Sequence, residues 1–390
     1  MSRNAEASST PFTFAVVPDI QYEASECSAQ YQNALQWIIN NQALSVNGVA
    51  LNTKSVVSVG DCVNNAFTGS PEITVATAAQ TATLDAHGYP FETVSGNHDY
   101  QNSSLPTRTT LGAHFMPGGI YGPDVRAGQA YWGSVPGGGG SSAWGGAYND
   151  PATGGTTGAN TWIEMIVGSR KFLVIGLEFF PRSGVLVWAK TIHDAYPDHE
   201  VILSMHSFIT DAAHLVTRST DPDYTAQSAG YGPDNYSMGA SPASNSGSEM
   251  WRNYLQYWSR LRFILCGHWI YAPTDAGGPN PPWYWNMSQL TAADGHIVNA
   301  VFTNAQELDN TASYCPSGTP DGTSNVAHMF LMRWDNTPGM CEGFMVSTNS
   351  GKWVGANAAA GWSGSPVQLF SVADPVIAPA FGGSFSGSIQ

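Results

Sequence analysis

The sequence predicts an α/β fold, because short apolar strands alternate with helical patterns through the first half of the chain. Apolar runs rich in β-branched residues lie at 12–17, 55–60 and 91–96, and helical patterns separate them. Strand–helix–strand repetition of this kind implies parallel β-α-β units. The chain has 390 residues, of which 42% are hydrophobic, so it can bury a substantial core as one or two domains.

The two helices between these strands have recognisable faces and ends. The first has an apolar face formed by Tyr31, Leu35, Ile38 and Ile39. The second is predicted from Pro71 to just before Gly88, because proline favours helix starts and glycine favours helix ends.

Residues 100–160 interrupt this alternation. Stretches such as SVPGGGGSSAWGG and NDPATGGTTGAN are rich in glycine and proline, and they predict irregular structure. We interpret the segment as a long insertion, which is either a lid or substrate-facing loop or a solvated excursion.

Strands resume after residue 160, at 161–168, 171–180, 200–206 and 262–268. Helices are predicted at 184–195 and near 247–260, and the second opens with Ser246 and Glu249 at capping-box spacing. After residue 290 three strands follow one another without a helix, which indicates an antiparallel or mixed second sheet. The last forty residues form a tail rich in Gly, Ser, Ala and Pro.

Composition and charge restrict the possible partners. Only 11% of residues are charged and the net charge is −15, so extensive binding to nucleic acid or to an anionic membrane is not expected. An anionic substrate would need a local positive charge, which a bound metal supplies. The low charge favours an extracellular or virion-associated setting. The chain shows neither an apolar leader nor a run of ~18 apolar residues that could span a membrane.

The five cysteines form no recognisable metal-binding pattern, since no two are spaced as CxxC. Cys62 and Cys266 lie among apolar residues and are predicted to be core residues. Cys315 and Cys341 are candidates for a disulfide in an oxidising compartment.

Five predicted strands end in loops that carry side chains able to bind a metal. These side chains are Asp19 and Gln21, then Asp61 and Asn64, then Asn97, His98 and Asp99, then His206, and finally His268. In an open α/β sheet the carboxyl ends of the strands face one crevice, so these residues could meet in space. Each alone also fits a turn or a core histidine, but their recurrence favours one shared site.

The order of these motifs resembles the calcineurin-like metallophosphoesterase superfamily. That family has D-x-H, GD-x-x-D/N, GNH-D/E, H and GH-x-H, and this chain has PDIQY, GDCVNN, GNHD, SMHS and CGH in that order over roughly 12–305. The branch with P-D-x-Q as its first motif is the most similar. The resemblance implies a four-layer α-β-β-α sandwich of two mixed β-sheets flanked by helices. We expect the metallophosphoesterase domain at 1–350, with a Gly/Pro-rich insertion at 100–160 and a loop at 207–248, followed at 351–390 by a C-terminal extension rich in Gly, Ser, Ala and Pro.

The resemblance also implies one or two divalent metal ions, Zn, Mn or Fe, with Asp61 bridging them. One metal would bind Asn97, His206 and His268, and the other Asp19 and Gln21. The residue types suit this chemistry, because a carboxylate can bridge two cations and neutral imidazoles favour transition metals over Mg or Ca. Two metals ~3.5–4 Å apart can stabilise the in-line displacement of a phosphate ester.

The resemblance implies a further role in catalysis. His98 would contact the phosphate and protonate the leaving oxygen, and Asp99 would hold the His98 imidazole in orientation. Apart from the resemblance, Asn64 and His214 are candidate substrate-binding residues, and the alternative for His214 is a solvated loop residue. The other six histidines have no motif context: His87, His114, His193, His199, His296 and His328.

Two positions depart from the family pattern. Gln21 stands where the first motif has histidine, and Ile270 stands where the last motif has its second histidine. The Asp19 metal therefore loses both imidazoles, and its site is expected to be oxygen-rich and weaker. The candidates to complete it are Asn64, water, Tyr22 and Tyr271.

These observations leave two functional hypotheses. The first is a metal-dependent phosphoesterase that hydrolyses small phosphomono- or phosphodiesters with a metal-bound hydroxide. The alternative is a catalytically reduced or inactive member of the fold that serves as a structural, surface or virion-associated module. A dinucleotide-binding fold is excluded, because no G-x-G-x-x-G follows the first strand.

Overall fold

Two mixed β-sheets stack face to face, and helices cover their outer faces. The computed structural model describes residues 10–104, 106–129, 140–151, 155–225, 232–236, 244–268, 285–304, 327–335, 339–354 and 362–373. The four-layer α-β-β-α arrangement confirms the predicted fold class.

The strands follow one another along the whole described chain. In order they are β1 (Phe12–Val17), β2 (Ser45–Val46), β3 (Val49–Ala50), β4 (Thr53–Ser58), β5 (Phe91–Glu92), β6 (Gly140–Asp150), β7 (Gly155–Val167), β8 (Arg170–Leu177), β9 (Glu200–Met205), β10 (Leu261–Cys266), β11 (Trp285–Thr291), β12 (Ile297–Thr303), β13 (His328–Asp335), β14 (Met340–Ser347), β15 (Trp353–Val354), β16 (Trp362–Ser363) and β17 (Phe370–Ala373).

The α-helices are short. They are α1 (Gln21–Glu26), α2 (Ser28–Asn40), α3 (Pro71–Gln80), α4 (Pro123–Ala127), α5 (Ser183–Ala195) and α6 (Gly247–Asn253), and a π-helical turn at Thr81–Asp85 continues α3. The predicted capping box of α6 is present, with Ser246 and Glu249 each bonding the other's backbone. Within the described ranges, no helix has the length and apolar character needed to cross a membrane.

Sheet 1 has the order β16-β15-β14-β13-β1-β4-β5, with β17 also paired to β14, and sheet 2 has the order β11-β12-β10-β9-β8-β7-β6. In sheet 1, β1, β4 and β5 are parallel, and β13 runs antiparallel to β1. In sheet 2, β8, β9, β10 and β12 are parallel. The carboxyl ends of the parallel strands therefore gather at one edge of each sheet.

Alternation along β1 shows how the layers are assembled. Phe12 and Phe14 point between the sheets, where their rings contact Phe172 of β8 and Trp334 of β13. Ala15 and Val17 point the other way, into the core beneath α1, α2 and α3. Sheet 2 has an equivalent outer core beneath α5 and α6. Burial of each large apolar side chain contributes about 1.5–3 kcal/mol.

Several local expectations need correction. The strand predicted at 91–96 is only the two-residue β5, and the range predicted as irregular contains β6 and the start of β7. Gly140–Asp150 forms a strand despite its glycines, because it pairs along the regular edge offered by β7. The C-terminal extension contributes β15, β16 and β17 to sheet 1.

The disulfide expectation is wrong for Cys341. Its thiol is buried and is not part of a disulfide, whereas Cys27 is disulfide-bonded. Cys315 lies outside the described residues. Cys62 and Cys266 are buried thiols in the core, as predicted.

Hydrogen bonds join the two sheets beside the strand ends that carry the candidate ligands. Ser204 of β9 donates its hydroxyl to the Ser58 carbonyl of β4 at 2.8 Å. The imidazole of His206 bonds the Val59 carbonyl, also at 2.8 Å. These contacts bring the carboxyl ends of β4 and β9 together, so loops from both sheets meet there.

Candidate metal centre

Two tight glycine turns bring the loops after β4 and β5 into contact. Gly60 has φ +98° and Asp61 has φ +50°, so the chain turns through the left-handed region directly after β4. A Cβ on Gly96 would lie 2.1 Å from Asp61 Oδ1, and one on Gly60 would lie 2.8 Å from the Gly96 nitrogen. Only glycine allows this approach, and the approach places Asp61 against the second loop.

Asp61, His206 and His268 converge. One potential ligand atom from each lies within 4.8 Å of the others, and all three side chains are buried or nearly so. Asp61 Oδ2 lies 3.1 Å from His206 Nε2, and the two imidazole centroids are 4.7 Å apart. His268 is held at φ +71°, a strained conformation of the kind that concentrates at functional sites. Two imidazoles and a carboxylate are a suitable donor set for a transition metal.

The backbone fixes the orientation of His206. Its Nδ1 is 2.8 Å from the Val59 carbonyl, which can only accept, so Nδ1 carries a proton and Nε2 faces Asp61. Burial alone would lower the pKa of His206, but Asp61 and the Val59 carbonyl raise it. Burial alone would raise the pKa of Asp61, but His206 and His98 outweigh it and hold that pKa at about 2. Burial and the neighbouring His206 hold the pKa of His268 well below its usual value.

Asn97 presents an oxygen that lacks a protein partner. Its amide nitrogen donates to the Ser103 carbonyl at 3.2 Å, which orients the group. Its Oδ1 is buried and has no hydrogen-bond partner among the described residues. An oriented, desolvated amide oxygen on this loop fits the predicted role of a metal ligand. We call Asp61, Asn97, His206 and His268 the imidazole half of the centre.

Asp19 and Gln21 form what we call the carboxylate half of the centre. Their side chains lack more hydrogen-bond partners than those of the imidazole half. Asp19 is 1% exposed and Gln21 is 0% exposed, and none of their four side-chain oxygen and nitrogen atoms has a hydrogen-bond partner in the described part of the chain. Burial and the nearby Asp61 raise the pKa of Asp19 well above its usual value. A buried carboxylate without a partner is costly, and a cation would relieve that cost. The donor set fits a divalent metal.

His98 is held differently from the predicted way. Its Nδ1 donates to the backbone carbonyl of Asn64 at 2.8 Å, and its backbone N–H donates to Asp61 Oδ1 at 2.8 Å. The expectation that Asp99 orients this ring is therefore wrong. Nε2 is the remaining nitrogen of the half-buried His98 ring.

Asp99 instead ties the two glycine loops together. It accepts hydrogen bonds from the backbone N–H groups of Cys62 and Gly96, and Oδ1 lies 2.9 Å from His114 Nε2. Both side chains of the Asp99–His114 pair are fully buried. Asp99 thus stabilises the loops that carry Asp61 and Asn97.

The two candidate substrate-binding residues, Asn64 and His214, form hydrogen bonds within the protein's own loops. Asn64 contributes the carbonyl that holds His98, and its backbone N–H donates to Glu72 at 2.6 Å. His214 is exposed, and its backbone bonds Thr210 in the turn after β9. Substrate contact by Asn64 or His214 stays a prediction. Ile270 and Tyr271 lie outside the described residues, and Tyr22 is half-buried on α1.

Sequence reasoning assigned nothing to two buried groups at this edge, Glu23 and His328. Because β13 is antiparallel to β1, its first residue, His328, lies where β1 ends. Burial lowers the pKa of His328 to about 4, against a weaker opposing effect of Glu23. Glu23 also raises the pKa of Asp19 and accepts the Ala327 N–H. Glu23 lies within α1, four residues after Asp19, and this spacing is the sequence signal for its proximity.

Comparisons with known proteins give a distant structural likeness and no sequence match. No family model and no curated protein matches the chain. The chain is similar to the crystal structure of a dimetal phosphatase from Danio rerio, with 10% identity and a TM-score of 0.38 over 86% of this chain and 96% of that one.

Proposed function

We propose that the protein is a metal-dependent phosphoesterase of the calcineurin-like type that hydrolyses small phosphomono- or phosphodiesters. The observation that carries the proposal is the convergence of the buried Asp61 and His206 with the half-buried His268, whose potential ligand atoms lie within 4.8 Å of one another. The unpartnered oxygens of Asn97 and Asp19 support it. The order of the sequence motifs supports the superfamily, including its P-D-x-Q branch.

The two halves favour different cations. Imidazole nitrogens in the imidazole half suit Zn, Mn or Fe, whereas the oxygens of Asp19 and Gln21 suit a harder ion such as Mn or Mg. Asp61 lies close enough to His206 and to Asp19 to influence both, as its effects on their pKa values indicate. We therefore propose Asp61 as the shared ligand of an asymmetric two-metal centre.

When bound, such cations polarise the phosphoryl group and activate a water molecule. The chain's own residues orient the reaction. His98 has Nδ1 fixed by the Asn64 carbonyl, so its Nε2 is the atom that would give a proton to the leaving oxygen. Asn97 would hold a cation through Oδ1, and the Asp99–His114 pair keeps the loop under His98 in place.

Metal analysis and a chromogenic assay test the proposal together. We expect purified protein to retain Zn, Mn or Fe, and to hydrolyse p-nitrophenyl phosphate or bis(p-nitrophenyl) phosphate when Mn²⁺ or Zn²⁺ is added. Asp124→Asn, a change of an exposed carboxylate on α4, is the control and should leave both properties unchanged. Absence of a retained metal and of turnover would contradict the proposal.

A second candidate is a metal-binding member of the fold without turnover. It is favoured by one observation, the buried Gln21 amide that stands beside Asp19 in place of an imidazole. Tight metal binding combined with no hydrolysis of either ester, whichever metal is added, would support this candidate over the enzyme.

A further inference from the structure

A tyrosine remote from every motif touches a candidate metal ligand. The hydroxyl oxygen of Tyr236 lies 3.1 Å from Nε2 of His268. Tyr236 follows the one-turn helix Pro233–Asn235, in a segment that the sequence motifs do not include. The contact therefore identifies a neighbour of the centre that no motif predicts.

The segment that carries Tyr236 is anchored on the protein by polar contacts. The carboxylate of Asp234 accepts hydrogen bonds from the backbone N–H and the hydroxyl of Ser219, at 3.1 and 2.9 Å. The side chain of Arg218 lies 3.9 Å from the same carboxylate. Asp234 thus links the turn before Tyr236 to the loop after β9.

Aromatic packing fixes the plane of the tyrosine ring. Phe179 meets Tyr236 edge-on at 5.1 Å, and it meets the rings of His206 and His268 edge-on at 5.5 and 5.1 Å. The Phe179 carbonyl accepts a hydrogen bond from Arg108 at 2.9 Å. A single anchored aromatic ring therefore supports both imidazoles and the tyrosine, which leaves the hydroxyl little freedom to move away from His268.

The two imidazoles are held through different nitrogens by different kinds of group. Val59 holds Nδ1 of His206 through a backbone carbonyl, and Tyr236 holds Nε2 of His268 through a side chain. Outer groups of this kind set which nitrogen of a ligand histidine carries the proton. The backbone carbonyl has no side chain to substitute, so Tyr236 is the position at which this orientation can be changed.

We propose that Tyr236 is a positioning residue of the metal centre: its oxygen accepts the Nε2–H of His268, so that Nδ1 faces Asp61 and His206. The inference rests on the proposed function only in taking a divalent cation as the ligand. It assigns no contact between Tyr236 and substrate. The positioning role of Tyr236 makes the segment at 232–236 a determinant of metal affinity.

Tyr236→Phe tests the proposal, because it removes the hydroxyl and keeps the ring that packs on Phe179. We expect affinity for Zn²⁺ or Mn²⁺, measured by chelator competition on the full chain, to fall by ~10–100-fold. Tyr224→Phe is the matched control, since Tyr224 lies in the same loop region and is 46% exposed. The control should bind the metals as the unaltered chain does.

Nitrogen-15 NMR of the histidine rings reports the tautomer of His268. A merely structural role of Tyr236 would leave that tautomer unchanged. We expect His268, assigned with His268→Gln, to be protonated on Nε2 in the unaltered chain and to lose that single tautomer in Tyr236→Phe. Unchanged affinity and tautomer in Tyr236→Phe would overturn this inference alone. Failure of the unaltered chain to bind Zn²⁺ or Mn²⁺ would overturn it together with the proposed function.

Discussion

The imidazole half and the carboxylate half of the centre differ in how far the protein alone satisfies them. In the imidazole half, Asp61 faces His206 and the His98 N–H, so its charge is compensated before any cation binds. In the carboxylate half, both oxygens of Asp19 are buried without a hydrogen-bond partner among the described residues. One half is preorganised by hydrogen bonds, whereas the other depends on a cation for its charge balance.

The largest effect is expected at Asp61, which we propose as the ligand shared by the two halves. Asp61→Ala should lower kcat/KM for a chromogenic phosphate ester by at least ~10²–10³-fold, the scale for losing one electrostatic contact to a transition state. It should also weaken both cations, which metal titration of the variant measures. Equal residual rates in Asp61→Ala and Gln21→Ala would contradict the assignment of Asp61 as the shared ligand.

Asp19, in the carboxylate half, should affect the stability of the metal-free protein. Asp19→Asn replaces a buried carboxyl group, whose ionisation is disfavoured by burial and by Asp61, with a neutral amide, so the metal-free protein should gain about 1–3 kcal/mol in free energy of unfolding. The same change should weaken cation binding at the carboxylate half. Urea unfolding in chelator, with and without added Mn²⁺, measures both effects. A metal-free variant less stable than the parent would show that Asp19 already has a partner.

Substitutions of Gln21 should have a smaller effect on cation affinity. The direction of the effect depends on whether the new side chain can bind a metal. Gln21→Ala removes a neutral amide, so we expect a modest loss of cation affinity and of rate. Gln21→His offers an imidazole to the weaker half and should raise its affinity for Zn²⁺, which calorimetric titration would detect as a tighter second site. Identical titrations of the two variants would mean that position 21 does not contact the cation.

The smallest predicted effect is a pH dependence of the metal-free protein. The pKa of Asp19 is raised on folding by burial and by Asp61, so the folded chain binds that proton more tightly than the unfolded chain. The free energy of unfolding should therefore fall as pH rises from the ordinary carboxyl range toward the raised pKa. Subtracting the profile of Asp19→Asn isolates this slope. A difference profile that is flat, or that rises with pH, would exclude the raised pKa.

The sequence predicted the fold class, and it predicted that Asp61, His206 and His268 lie near one another. Metal binding by these residues stays a prediction. Apolar runs located most strands, and Asp61, His206 and His268 follow the carboxyl ends of such strands and lie close together although they are far apart in the chain. The convergence differs from the single-sheet expectation, because Asp61 follows a strand of sheet 1 and both histidines follow strands of sheet 2. The Gly-rich strand β6 was not predicted, because its pairing with β7 outweighs the low strand propensity of its residues.

The contacts around the ligands could not be predicted, because they depend on how loops pack. Nothing local distinguishes His114, which pairs with Asp99, from the histidines outside the motifs. The contact of Tyr236 with His268 arises from the path of a loop. The position of His328 depends on which strand lies next to β1, a feature of topology that spacing does not encode.

The bonds from Ser204 and His206 to the carbonyls that end β4 have a consequence for folding. Asp19, Asp61 and Asn97 follow strands of sheet 1, whereas His206 and His268 follow strands of sheet 2. A cation held by both groups would act as a non-covalent crosslink between the two layers, and its binding energy would add directly to the cost of pulling them apart. Assembly of the centre would then be a late folding event that reports the docking of the two layers.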